Sequence, residues 1–170
     1  IVAGPEVPQG RTSATTVSLV DAYQTVLDCS GLEVRDDESK LPGKSWFALA
    51  NAAEDRERLA FSEYHAVGAD NASYMVRKGR YKLLYHVGYR PELFDLESDP
   101  EESHDLAGAA AMAGVAAEYE ALLRGITDPE TTDRRAKDDQ AALVERHGGR
   151  EAAFQVGARG ATPVPGAAPE

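Results

Sequence analysis

The side chains able to do chemistry in this sequence are few and scattered. The densest group is Ser62-Glu63-Tyr64-His65-Ala66, where a carboxylate, a phenol and an imidazole follow one another at the end of an apolar run. An imidazole placed there can hydrogen-bond an anionic ligand or its leaving group, and Tyr64 can offer a ring edge or face. His65 has a plainer reading too, as a partly buried ring satisfied by backbone groups. His86 falls on the polar side of an alternating run and His104 beside a helix start, so both read as solvated, while His147 reads as a charge at a helix C-terminus. Cys29 is the single cysteine, which rules out an internal disulfide and a Cys-rich zinc site, and it reads as a structural thiol at the end of a helix. Asp36-Asp37 and Asp70-Asn71 each pair two oxygen donors, but the first lies between Arg35 and Glu38 in a loop and the second in a turn. Arg77, Lys78, Arg80 and Lys82 form a basic cluster in an otherwise acidic chain, able to attract an anion or to keep a hairpin soluble.

The periodicity of the apolar residues supplies the elements that would hold these groups. Ile1-Val2-Ala3-Gly4-Pro5 opens the sequence with the pattern of a buried strand, as if a strand were entered midway. A helix is expected from Ser18, whose hydroxyl caps while Asp21 reaches back, with Leu19, Val20, Tyr23, Val26 and Leu27 on one face and Gly31 as its stop. Residues 33–44 read as an exposed loop, followed by a short helix from Ser45 that carries Trp46, Phe47 and Leu49. Residues 59–67 read as a strand, and residues 74–77 pair with 80–87 across Lys78-Gly79 in a bulged hairpin. Tyr81, Leu83, Tyr85 and Val87 alternate onto a core face, leaving Arg80, Lys82 and His86 on a wet one. A last strand spans 92–96, Asp99-Pro100 makes a capped turn, and helices follow over 106–123 and from Asp128-Pro129 to Gly148-Gly149. Residues 157–170, rich in Gly, Ala and Pro, read as a flexible tail.

With 170 residues the chain accommodates one domain. Its large aliphatic residues and Phe make up about a fifth of the sequence, close to the lower limit for a stable core. The simplest resolution is that part of its apolar surface packs on protein outside this sequence. A net charge of −11 argues against a nucleic-acid partner, since backbone binding needs clustered Lys and Arg. No stretch approaches the roughly 20 apolar residues of a membrane span. The lone Cys29 suits a reducing compartment, so the expected location is the cytoplasm, with the periplasm as the alternative. The Ala, Gly, Arg and Asp bias suggests a bacterial source with GC-rich coding.

Val17-Ser18-Leu19-Val20-Asp21, Gly79-Arg80-Tyr81-Lys82-Leu83 and Glu92-Leu93-Phe94-Asp95-Leu96, ahead of Asp99-Pro100-Glu101-Glu102, together resemble the C-terminal third of sulfatases of the alkaline phosphatase superfamily, closest in flavour to bacterial choline-sulfatases and arylsulfatases. The resemblance covers residues 1–150. It implies a small α+β subdomain, an antiparallel sheet with helices, packed on a large catalytic domain. It also implies sulfate-ester hydrolysis through a formylglycine made from a Cys or Ser in a Cys/Ser-x-Pro-x-Arg motif, with a divalent cation, usually calcium, held by carboxylates. None of that machinery matches here: Asp28-Cys29-Ser30-Gly31-Leu32 lacks the Pro and Arg, and neither acidic pair has the context of the family's metal ligands.

The resulting expectation has four segments: 1–32, the end of the catalytic region; 33–126, the antiparallel-sheet subdomain; 127–156, a helical extension; and 157–170, the tail. No catalytic or metal-binding residue is expected in the chain, and Tyr64 and His65 are the candidates for a substrate-contacting cleft wall. Calcium and formylglycine belong to the full-length parent, and the partners are the N-terminal catalytic core, a small-molecule sulfate ester and a second copy of the chain. The rival readings are a phosphodiester or phosphonate monoester hydrolase of the same superfamily and a non-catalytic binding or oligomerisation module.

Overall fold

A computed structural model describes residues 1–33, 35, 40–65 and 68–156. Its centre is an antiparallel sheet in the order β1-β2-β3-β4, formed by Ala60–Tyr64, Ser73–Lys78, Tyr81–His86 and Glu92–Asp95. Around it stand α1 (Asp21–Ser30), α2 (Trp46–Asn51) and α3 (Ala113–Ile126), followed by α4 (Pro129–Arg146) and α5 (Gly149–Val156). The architecture is the expected α+β arrangement, each strand pairing with its neighbour in sequence.

Alternation along the strands sorts the sheet into two faces. Val76 stands opposite Leu83 and Leu83 opposite Leu93, so all three share one face. There they pack with Ala72 and Tyr74 against Tyr119 and Leu123 of α3. Leu93 and Leu123 are fully buried, and each such side chain stabilises the fold by roughly 2 kcal/mol. Both core phenols are satisfied: Tyr74 Oη donates to the Pro129 carbonyl at 3.1 Å, and Tyr119 Oη donates to the Lys78 carbonyl. Burial pushes the Tyr119 phenol up to about 12. The stripe expected on this helix is therefore the one that builds the core, although regular helix begins at Ala113 after a 3₁₀ turn over Ala110–Met112. The residues before it are laid against β4 instead, since Leu106 N donates to Leu93 O and Asp105 Oδ1 accepts from Leu93 N and Ala107 N.

The hairpin between β2 and β3 has an unbroken register from Ser73 opposite His86 to Lys78 opposite Tyr81, so its turn is the two residues Gly79-Arg80 and carries no bulge. Gly79 supplies the positive φ of +55° that a tight hairpin requires at its first central position. Residues 1–5, read from sequence as the end of a strand, make none here: the sheet consists of β1 to β4, and Ile1 is fully exposed. A strand needs a ladder partner, and this segment has none among the described residues.

Helix α1 also departs from expectation at its start. It begins at Asp21 with Val20 as its N-cap, and no side chain caps it. Asp21 does reach back to the Ser18 N–H at 2.7 Å, but the Ser18 hydroxyl does not return the bond. Gly31 ends the helix as expected, with φ +63°. Its orientation is the reverse of what the apolar stripe suggests: Asp21 and Thr25 are buried, while Leu19, Val20, Tyr23 and Val26 face outward. The polar pair is turned inward because it satisfies backbone, Thr25 Oγ1 accepting from Trp46 N at 2.9 Å and Asp21 Oδ1 from Lys44 N at 2.9 Å.

The chain divides into two compact units, Ile1–Pro129 and the residues from Glu130 onward. The second is helical and highly charged, with Lys137 and Asp133 paired at 2.9 Å one turn apart and Gly148, at φ +96°, separating its two helices. Asp36-Asp37, the last two residues of the expected 59–67 strand and the 157–170 tail lie outside the described residues.

Candidate functional site

Tyr64 closes β1 directly opposite Ser73, which in turn stands opposite His86 on β3. The three share the sheet face turned away from α3, and Tyr64 is half exposed there. His86 is not the solvated ring that alternation suggested. Its Nδ1 lies 2.8 Å from Ser73 Oγ and its Nε2 3.4 Å from Glu92 Oε2. Ser73, His86 and Glu92, with Asp70, Asn71 and Arg90, line a cavity of about 460 Å³, to which Tyr64 does not contribute. Asn71 Nδ2 donates to the Val87 carbonyl at 3.0 Å, which commits the Asp70-Asn71 pair to a turn.

His65 follows Tyr64 but lies on the other side. Its ring packs edge-on against the buried Tyr74, with centroids 5.5 Å apart and planes at 83°, and its Nε2 is 3.4 Å from Glu63 Oε2. The two residues read together from sequence as one wall are thus divided by strand alternation. Tyr64 presents its ring to the open face, and His65 anchors the loop that leaves β1 to the core.

Three of the four clustered cations are neutralised. Lys78 Nζ lies 2.9 Å from Glu57, Lys82 Nζ donates to both Glu102 oxygens at 2.6 and 2.5 Å, and Arg80 pairs with Asp95. The Arg80 guanidinium, aided by the Ser98 hydroxyl and the Glu97 N–H, holds the Asp95 carboxyl well below the usual carboxylate range. Arg77 has no ion pair among the described residues. His104 is largely exposed, 3.5 Å from Asp99, in keeping with its solvated reading.

A fourth polar constellation had no signal in the sequence. Arg58 Nη2 and Nη1 reach the two Asp21 carboxylate oxygens at 2.5 and 3.1 Å, and Nη1 also donates to the Thr16 carbonyl. Burial alone would raise the Asp21 pKa, but the hydrogen bonds from Arg58, Ser18 N and Lys44 N outweigh it and hold the carboxyl below its usual range. Arg58 closes the charged run Glu54-Asp55-Arg56-Glu57-Arg58, whose first four residues are exposed while Arg58 is partly buried.

Cys29 is exposed on α1, with neither the Pro nor the Arg of a formylglycine motif after it. Among the described residues no three of His, Cys, Asp or Glu converge as a set able to hold a metal ion. The described residues therefore do not fit the nucleophile or the cation that the family resemblance implies. What this surface can do is bind and orient, through a phenol, a fixed imidazole and an unmatched guanidinium.

Residues 1–128 match the family described as N-sulphoglucosamine sulphohydrolase, C-terminal. Among curated proteins, arylsulfatase K of Danio rerio is 33% identical over 136 residues, covering 75% of this chain and 25% of that protein. Arylsulfatase K of Xenopus laevis is 31% identical over 120 residues, covering 64% and 22%. The chain thus spans about a quarter of the length of the curated relatives it matches. Among solved structures, a 2-O GAG sulfatase is 27% identical with a TM-score of 0.50, covering 72% of this chain and 26% of that one. A second, solved in complex with its substrate D-glucosamine-2-N,6-O-disulfate, is 26% identical with a TM-score of 0.50, covering 69% and 24%. The match over three quarters of its length, on an antiparallel sheet backed by α3, makes this chain a member of the N-sulphoglucosamine sulphohydrolase C-terminal family, the C-terminal part of sulfatases of the alkaline phosphatase superfamily.

Proposed function

We propose that this chain is the C-terminal subdomain of a longer sulfatase that hydrolyses a small-molecule sulfate ester, and that the 170 residues alone are catalytically inactive. The observation that carries this reading is the family match over residues 1–128. The arylsulfatase K relatives support the ester, and the neighbours described as acting on a 2-O position of GAG and on a glucosamine disulfate favour a sulfated sugar. The nucleophile, a formylglycine, and a divalent cation such as calcium come from residues of the longer protein. The exposed stripe Leu19, Val20, Tyr23 and Val26 on and before α1 is covered by that protein's catalytic core. The Ala-, Gly-, Arg- and Asp-rich composition supports a bacterial source, although the curated relatives above are vertebrate.

In the assembled enzyme Tyr64 and His65 form part of the cleft wall, with divided roles: Tyr64 contacts the alcohol portion of the substrate and His65 positions it. A wall residue bears on discrimination between substrates rather than on the reacting sulfuryl centre. In the longer protein, Tyr64→Ala and His65→Ala should each lower kcat/KM by about tenfold for some sulfate esters and barely for others. His104→Ala is the control, since that side chain is largely exposed. His86→Ala is unsuited to that purpose because His86 is bonded to Ser73. Uniform behaviour of the wall variants and the control across a panel of esters would remove Tyr64 and His65 from the cleft.

A further inference from the structure

Arg77 stands directly opposite Lys82 in the β2–β3 register, so two cations face each other on the open side of the sheet. Like charges so placed are destabilising unless something of opposite sign intervenes. For Lys82 that partner is Glu102. Arg77 has none among the described residues, and its Nε is buried without a hydrogen bond. A second buried group is left in the same state: Thr16 Oγ1, in a residue 6% exposed, has no partner either. The Thr16 main chain is meanwhile held in place, its carbonyl accepting from Arg58.

Arg77 and Thr16, the residues that carry the two orphaned atoms, both line one cavity of about 400 Å³, whose lining also includes Ser13, Lys82 and Glu102. Arg77, Lys82 and Glu102 together leave that lining with one net positive charge. Buried polar atoms are almost always satisfied, so two orphans beside an unbalanced charge point to a missing acceptor that carries negative charge.

We propose that this cavity is a binding site for a tetrahedral oxoanion of the sulfate class, accepting from the Arg77 guanidinium and from the Thr16 hydroxyl. An oxoanion there offsets the facing Arg77 and Lys82 charges and satisfies both orphaned groups at once. A sulfate-class anion carries more charge and more acceptor oxygens than a carboxylate, so a single ion can accept from the guanidinium and the hydroxyl together. The site shares no lining residue with the Ser73–His86 cavity, and it stands whether or not the longer protein is a sulfatase.

The test is calorimetric titration of the 170-residue chain with sodium sulfate, then with sodium acetate, at ionic strength held constant with sodium chloride. Saturable sulfate binding is expected, weakened about tenfold or more by Arg77→Gln and measurably by Thr16→Val, with acetate binding far more weakly. In the absence of sulfate Arg77→Gln should melt no lower than the parent, because it removes one of two facing cations. Absence of saturable binding, equal sulfate affinity in the parent and Arg77→Gln, or acetate matching sulfate would each overturn the site. Should Arg77→Gln not fold, unchanged sulfate affinity in Thr16→Val overturns it alone.

Discussion

Asp21 is the most deeply buried carboxylate among the described residues. Fully buried, it accepts from two backbone N–H groups and from both terminal nitrogens of Arg58. Removing one member of such a pair leaves the other charged and without its partner. Asp21→Asn should therefore cost roughly 3 kcal/mol in denaturant-induced unfolding. Arg56→Gln, at an exposed pair, should cost little. Acid should expose the same dependence. The Asp21 and Asp95 carboxyls sit below their ordinary values when folded. Their stabilisation is therefore complete above the unfolded carboxylate value of about 3.9 and is lost as pH falls through the folded values. A thermal melt followed from neutral pH to about 2 should stay flat with respect to these groups and then fall steeply, with a shallower fall in Asp21→Asn/Asp95→Asn. None of this was legible in the sequence, where Asp21 reads as half of a capping box and Arg58 as one charge in a run of five.

At the scale of elements, the sheet and α3 were readable because their period matches their environment. Leu83 alternates with Lys82, and Tyr119 and Leu123 are spaced one turn apart, so the pattern in the chain is the pattern in the core. Helix α1 could not be oriented in the same way. Its apolar stripe is real, but within the described residues nothing covers it, and a periodicity names a face without naming what lies against it. Tyr64 and His65 show a related limit: their types suggest a shared site, and the period of two in a strand separates them. The close approach of the 41–44 loop to α1 was equally invisible, although it fixes the Lys44 N–H to Asp21 bond. Gly43 makes it possible. At φ +118° a Cβ there would lie 2.6 Å from the Val20 carbonyl oxygen. Gly43→Ala should destabilise by roughly 2–3 kcal/mol through strain and clash combined, against about 1 kcal/mol for Gly10→Ala, where φ is +65° and nothing lies within 4 Å. Equal losses in the two variants would show that the loop does not approach α1 so closely.

For the whole molecule, one face of the sheet is a complete core, while the apolar residues on and before α1 stand in water. Leu19 is 86% and Val26 61% exposed, a cost the fold tolerates more easily if something else covers them. The isolated chain should accordingly self-associate, and Leu19→Glu with Val26→Glu should reduce that association in sedimentation while leaving the unfolding free energy within about 0.5 kcal/mol. A large loss of stability would mean that the stripe is packed inside the chain itself. The same division between a finished core and an unfinished surface underlies the functional reading, in which this part binds and orients while the bond-breaking groups lie elsewhere. The most direct measurement is hydrolysis of para-nitrophenyl sulfate by the 170-residue chain and, in parallel, by the longer polypeptide that ends in it. The expected result is no release above a blank from the chain alone and multiple turnovers, abolished by chelator, from the longer protein. Turnover by the chain that survives repurification, or a longer protein that cleaves the corresponding phosphate or phosphonate ester and leaves the sulfate intact, would contradict it.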